Sequence, residues 1–355
     1  VPFMARVRFG PQSPLVMIAK LRLYDLRQSA PPLSAYTQFP MMSCTPMRSR
    51  IIAMQILLAI VALCLSVALR AAPASAQQTL VLGRVSDDPK AHYERLKPLL
   101  DYVVARMADV GIHEGRVLMA RDAQQMVSYL RQGKVDWISE TSGAALAFEE
   151  RAKARIFLRS RRGGLFDYHS VFFARKDSQI VSLSDLTGRT LALQHSMSTS
   201  AYLVPAAMLL DNHLALAIQA SPLERPPPDF VGYVFARSEG NLVTWVHKGL
   251  VDAAAFSNQD WDELQQNSPL VANDLMVFQS SRAFPRAVEL VRPGLDAKIE
   301  QRLRQILLAA HQDPAAQPAL LAYSRTERFD EIDSATWAAL TELRAGVRQV
   351  RAEIE

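Results

Sequence analysis

Thr190-Leu191-Ala192-Leu193-Gln194-His195-Ser196-Met197-Ser198-Thr199-Ser200-Ala201-Tyr202-Leu203-Val204-Pro205 is the stretch on which the fold turns. Its first four residues have the apolar run of a short buried strand. From Leu203 the apolar residues Ala206, Ala207 and Leu210 recur at helical spacing. Strand, turn and helix in that order are the unit of an α/β domain. The turn is rich in hydroxyls. The first amides of a helix have no internal partner and lie at the positive end of its dipole, so an anion can sit there. Ser198, Thr199 and Ser200 would add hydroxyl donors. The plainer reading is that Ser198 caps the helix, with His195 as a structural histidine.

The same alternation extends to both sides. Upstream, strands are expected at 79–85, 116–120, 135–138 and 155–158, and helices at 91–109 and 123–132. The turn 139–143 follows the third of these strands and leads into a helix through residue 152. Ligands bind beyond the carboxyl ends of strands in such sheets, which makes that turn a second site candidate. An extended run, 167–176, precedes the opening stretch. Downstream, strands are expected at 230–235 and 251–256, helices at 199–213, 239–248 and 259–266, and further extended runs at 275–278 and 288–291. A last amphipathic helix is expected over 334–353. The expected architecture is two α/β lobes. Lobe one is 77–173 plus 282–355, and lobe two is 178–275. The crossing segments 174–177 and 276–281 form a hinge.

Residues 1–46 read differently, with clustered prolines, scattered arginines and no periodicity, and are expected to lie upstream of the natural start at Met47. Arg48 and Arg50, the apolar run 51–69 and Ala74-Ser75-Ala76 have the layout of a secretory signal peptide over 47–76; the alternative is a retained anchor. Of the 40 basic and 35 acidic residues, eight and one lie before residue 77. That leaves 32 against 34, a net charge of −2, so the rest of the chain has no overall basic character to suit nucleic acid. Cys44 and Cys64 also lie in this leader, which leaves residues 77–355 without a thiol.

The chain resembles the phosphate-, phosphite- and phosphonate-binding periplasmic proteins of ABC importers, the PhnD-like group with a type II solute-binding fold. Four blocks carry the likeness: 95–102 (RLKPLLDY); 133–136 (GKVD); Tyr168-His169-Ser170 through 175–178 (RKDS) to 184–188 (SDLTG); and 198–205 (STSAYLVP). Gly249-Leu250-Val251-Asp252-Ala253 matches a further strand, and the whole covers about 79–330. The resemblance implies that Ser198, Thr199 and Ser200 hold the ligand's oxygens and that Tyr168 adds a hydroxyl. It also implies departures. Glu140 stands where the family usually has an aromatic residue. Ser238-Glu239-Gly240-Asn241 replaces a helix start that often opens with histidine. Pro285-Arg286-Ala287 replaces a Gly-Asp-Pro segment. The acids that face an aminoalkyl group therefore do not carry over, so 2-aminoethylphosphonate is not expected. Arg286 favours extra negative charge on the ligand; Glu140 and Glu239 oppose it unless they pair with Arg286 or stay protonated. Read without the resemblance, Glu140 is a solvated acid, Tyr168 a core tyrosine and Arg286 a surface arginine.

The expected function is capture of a small oxyanion by a monomeric periplasmic protein that delivers to an inner-membrane ABC permease. No cofactor, nucleic acid or direct membrane contact is expected. Two alternatives stand beside it: a periplasmic sensor that signals to a membrane histidine kinase, and an enzyme on the same scaffold. Among the seven histidines no pair has zinc-site spacing, and no nucleophile elbow or phosphate-loop motif is present. Ser198, His195 and Asp185 are the residues from which a triad would have to be built.

Overall fold

In a computed structural model, residues 78–354 are described. The expected upstream segment and signal peptide, with both cysteines, lie outside the described residues. Strand β1 (Gln78–Val85) pairs in parallel with β2 (Ile112–Ala120) along its length and with β3 (Trp137–Glu140) on its other side. Gly83 allows that close packing, since a Cβ there would stand 2.6 Å from Val135 Cγ1. Between them the helix Pro89–Val104 buries Leu96, Leu99, Leu100 and Val103. Asp88 caps it by accepting from Ala91 N at 3.1 Å, and it runs through Pro98 without ending. The third strand lies two residues later than the sequence suggests. Asp136 is held at its foot, accepting from Val81 N at 2.8 Å and from Arg292 Nε at 2.8 Å. Ser139 and Glu140 are thereby in the strand, and the helix Ser142–Ala152 begins almost at once.

The chain then forms β4 (Arg155–Arg162), β5 (Asp167–Tyr168) and β6 (Ser170–Arg175), followed by β7 (Thr190–Leu193), β8 (Ala215–Ile218), β9 (Phe230–Phe235), β10 (Ala253–Ser257) and β11 (Leu275–Ser280). It returns through β12 (Phe284–Pro285), β13 (Val288–Val291) and β14 (Thr326–Asp330). One six-stranded sheet has the order β14-β4-β13-β3-β1-β2 and the other β11-β6-β10-β7-β9-β8. The edge strand β8, Ala215–Ile218, has no counterpart in the sequence reading; it is a run of only four apolar residues, none of them buried. Each sheet is covered on both faces, the first by clusters around Leu99, Trp137 and Leu303 and around Met126, Ile138 and Phe148. The architecture is the mixed α/β, two-sheet type II arrangement.

The crossings differ from those expected. Residues 170–175 and 275–280 are paired strands inside the second sheet, with Ala174 opposite Met276. The expected crossings at 174–177 and 276–281 therefore lie within or at the edge of that sheet. The chain passes between sheets at 163–169 and 281–287, where β5 and β12 pair, Tyr168 opposite Phe284. The final helix, Ser334–Glu353, also departs from its assignment to lobe one. Leu340 packs into the first lobe's core, while Val347 and Val350 pack into the second's. Arg344 pairs with Glu149 at 2.5 Å and Arg348 with Glu150 at 3.5 Å. Among the described residues no helix is long and apolar enough to cross a membrane.

Candidate functional site

The carboxyl ends of β1, β3 and β4 point one way, because β13 runs antiparallel between the last two. In the second sheet β7, β9 and β10 share a direction. In each sheet the chain order reverses beside one strand, β1 or β7, and a crevice opens at such switch points. The two edges meet beside β3 and β7. Thr199 Oγ1 accepts from Gly143 N at 2.9 Å and donates to Thr141 Oγ1 at 2.8 Å, which joins the turn after β7 to the helix start after β3. A Cβ on Gly143 would stand 2.8 Å from both Thr199 Oγ1 and Leu203 Cδ1, so only glycine permits this approach.

Ser198, Thr199 and Ser200 are all buried. The expected single helix over 199–213 is instead a wide turn, Thr199–Leu203, followed by a helix, Val204–Asp211. Leu203 N donates to Ser198 O at 2.9 Å, five residues back, a widening that recurs at functional sites. Ser198 does cap: its Oγ accepts from Ala201 N at 3.2 Å. Tyr168 is buried within hydrogen-bonding reach of Ser200 and Thr199. Burial raises its pKa, and nearby Arg286 acts against that rise. Its ring meets Phe284 edge-on at 4.7 Å, and the Arg286 guanidinium lies 5.0 Å from its centroid. Arg286 is therefore next to the hydroxyl turn and not at the far end of the cleft. Its Nε donates to Gln259 Oε1 at 3.0 Å.

Glu140 closes β3 in a buried position, with Arg84 Nη1 at 3.8 Å from its Oε2. Burial raises its pKa, and Arg84 and Arg162 act against that rise. Glu239 is exposed and accepts from Gln194 Nε2 at 2.5 Å. It repels Asp260, whose carboxyl is raised first by burial.

Sequence reasoning missed Arg84, Arg162, Asp260 and Glu289. Arg162 ends β4, buried, and its Nη2 donates to Ser139 Oγ. Glu289 has no exposure and accepts from Ser139 Oγ at 2.5 Å, Trp137 Nε1 at 2.7 Å and Tyr323 OH at 3.1 Å, with Arg162 Nη2 at 3.5 Å. Arg162 Nε and Ser142 Oγ are buried without a hydrogen-bond partner. For Arg84 and Arg162 the available signal was position, a charged residue at or near the carboxyl end of a strand; Asp260 lies in the helix Asn258–Asn267 and Glu289 is the second residue of β13, so neither carries that signal. Asp185 and His195 are engaged elsewhere. Asp185 accepts from Val181 N, Ser182 N and Ser182 Oγ, and His195 Nδ1 accepts from Met197 N, so no side-chain bonds link them to Ser198. Among the described residues no group of three or more His, Cys, Asp or Glu could hold a metal ion.

A buried hydroxyl turn, a tyrosine and several guanidinium groups at opposed strand ends have the chemistry of an oxyanion cleft. The family described as the periplasmic substrate-binding proteins of ABC phosphonate transporters matches residues 83–337. The chain belongs to this family. As a family member it is a periplasmic solute-binding component of an ABC importer, a class that takes a small ligand to a membrane permease and is not a class of enzymes. This phosphonate-family chain is similar to the solved XAC2383 from Xanthomonas citri bound to ATP, with 49% identity, a TM-score of 0.75, and coverage of 78% of this chain and 99% of that one. The same protein bound to chloride ion matches at 50% identity, with the same TM-score and coverage. PhnD1 from Prochlorococcus marinus (MIT 9301) in complex with methylphosphonate shares the fold, with 15% identity, a TM-score of 0.60, and coverage of 78% of this chain and 99% of that one. No curated protein matches.

Proposed function

We propose that the cleft captures a phosphate- or phosphonate-type oxyanion, with Ser198, Ser200 and Tyr168 donating to its oxygens and Arg84, Arg162 and Arg286 supplying positive charge. The observation that carries this reading is the buried hydroxyl turn after β7 standing against the carboxyl ends of β1, β3 and β4. Charge-assisted hydrogen bonds in a cleft sheltered from water are the strong kind. Thr199 takes a different part in this reading: its hydroxyl joins the lobes, so it reports closure. Glu140 lines the lobe-one side and Glu239 the rim of lobe two. The crossings 163–169 and 281–287 serve as the hinge, and closure about them presents the loaded form to the permease. The protein acts as a monomer exported through the signal peptide 47–76, without a cofactor and without turning the ligand over.

The ATP bound by the 49% identical relative favours a second ligand within this reading, a nucleoside phosphate with its terminal phosphoryl group on the turn. The test is calorimetry of residues 78–354 with methylphosphonate, inorganic phosphate and ATP. Ser198→Ala with Ser200→Ala is expected to weaken the anions that bind by about 100-fold, the loss of two hydrogen bonds to a charged group. Unchanged affinity in a folded double variant overturns the placement of the ligand on this turn.

A further inference from the structure

Two carboxylates are buried at the same edge of the first sheet, and only one is fully served. Glu289 accepts from three side-chain donors and has Arg162 beside it. Glu140 has Arg84 Nη1 at 3.8 Å, beyond hydrogen-bond distance, and that nitrogen donates instead to Ser139 O at 3.1 Å. Its side chain is 12% exposed, which leaves it only partial access to water. A buried carboxylate short of donors is costly unless something supplies a proton or a hydrogen bond. The residue after it, Thr141, accepts from Thr199 within the hydroxyl turn. Glu140 itself closes β3 at the carboxyl edge of the first sheet, the edge that meets the hydroxyl turn through Thr141 and Thr199.

We propose that Glu140 is a specificity-determining residue: it shares a proton with the ligand, so the cleft takes tetrahedral oxyanions that keep an acidic O–H and refuses those that have none. This rests on the oxyanion reading of the cleft. A P–OH group donates to Glu140 while the ionised oxygens take the turn's hydroxyls and the guanidinium N–H groups. A fully deprotonated anion of the same shape sets a bare oxygen against the carboxylate. It binds only after Glu140 has taken a proton from water. The charged groups that face Glu140 are Arg84, Arg162 and Glu289. The two guanidiniums favour any anion alike, so they do not discriminate; the carboxylate does.

Phosphate and sulfate test this, since they share a shape, and at pH 7 phosphate keeps an O–H while sulfate has none. Wild type is expected to bind inorganic phosphate roughly 100-fold or more tightly than sulfate, as sites built around a ligand hydroxyl do. Glu140→Gln should bring the ratio to within about threefold, chiefly through gained affinity for sulfate. Ser198→Ala with Ser200→Ala should weaken both anions and keep the ratio. Wild-type sulfate binding, where it is measurable, should take up a proton, read by calorimetry in two buffers of different ionisation enthalpy; this measurement decides the matter alone if Glu140→Gln does not fold. Equal wild-type affinities, an unchanged ratio in a folded Glu140→Gln, or sulfate binding without proton uptake each overturn the proposal and leave the oxyanion cleft standing. Affinity for ATP without any for phosphate overturns it as well. Failure of phosphate, methylphosphonate and ATP alike overturns the cleft reading and this proposal with it.

Discussion

Glu140 carries a second consequence, visible without ligand. Burial holds its carboxyl above the ordinary value of 4.5, with Arg84 as the leading opposing influence. The native chain then keeps this proton at pH values where the unfolded chain has lost it. Between the two values the native state holds more protons, so stability falls as pH rises. Below the ordinary value both states are protonated and the residue contributes no such slope. Above the raised native value the loss is complete. Glu140→Gln removes the effect, so its melting temperature should match wild type near pH 4 and exceed it by about 2–4 °C at pH 8. A variant that melts lower than wild type at pH 8 would show that the carboxylate is stabilised there. From sequence this residue fell in the candidate turn 139–143, and the resemblance singled it out there. Arg84 and Arg162 were not, although each sits at or near the carboxyl end of its strand. Arg84 reaches Ser139 and Glu140 through the pairing of β1 with β3, while Arg162 reaches Ser139 and Glu289 only because β13 lies between β3 and β4, a contact between residues more than 120 positions apart.

Gly143 shows how much one element depends on another. The helix Ser142–Ala152 and the turn Thr199–Leu203 come together at a glycine whose amide donates to Thr199. Gly143→Ala should support the helix slightly, as alanine does in a helix. It should also push the turn away, because the new methyl would stand 2.8 Å from Thr199 Oγ1. The expected outcome is near-normal melting with phosphate affinity lowered about tenfold, some 1.4 kcal/mol. Unchanged affinity would separate this contact from binding. Most elements were legible because their apolar spacing is strong: Thr190–Leu193, Phe230–Phe235 and the helix Ser334–Glu353 lie where the pattern puts them. β3 slid by two residues because Asp136 is fixed by Val81 and Arg292, partners that no local window contains. The crossings were misread for a related reason. Residues 170–175 read as a buried strand that either sheet could hold, and only their pairing with 253–257 and 275–280 assigns them to the second sheet.

At the scale of the molecule, the first sheet is assembled from both ends of the described chain. β13, Val288–Val291, lies between β3 and β4 and hydrogen-bonds to each. Without it β4 has no partner linking it to β3, and Glu289 is missing from beneath Trp137 and Ser139. Residues 78–162 therefore cannot complete their sheet while the ribosome is still making the second lobe. Such distant pairing makes folding slow. The second sheet has no such debt, since all six of its strands fall between residues 170 and 280. A fragment of residues 78–280 should accordingly show a cooperative transition for the second sheet alone, with fast amide exchange across 78–162. Protection of 78–162 in that fragment would refute this order of events. For a protein destined for the periplasm, late closure is useful: the leading third of the chain stays open, and so threadable through a translocation pore, until residue 291 has been made.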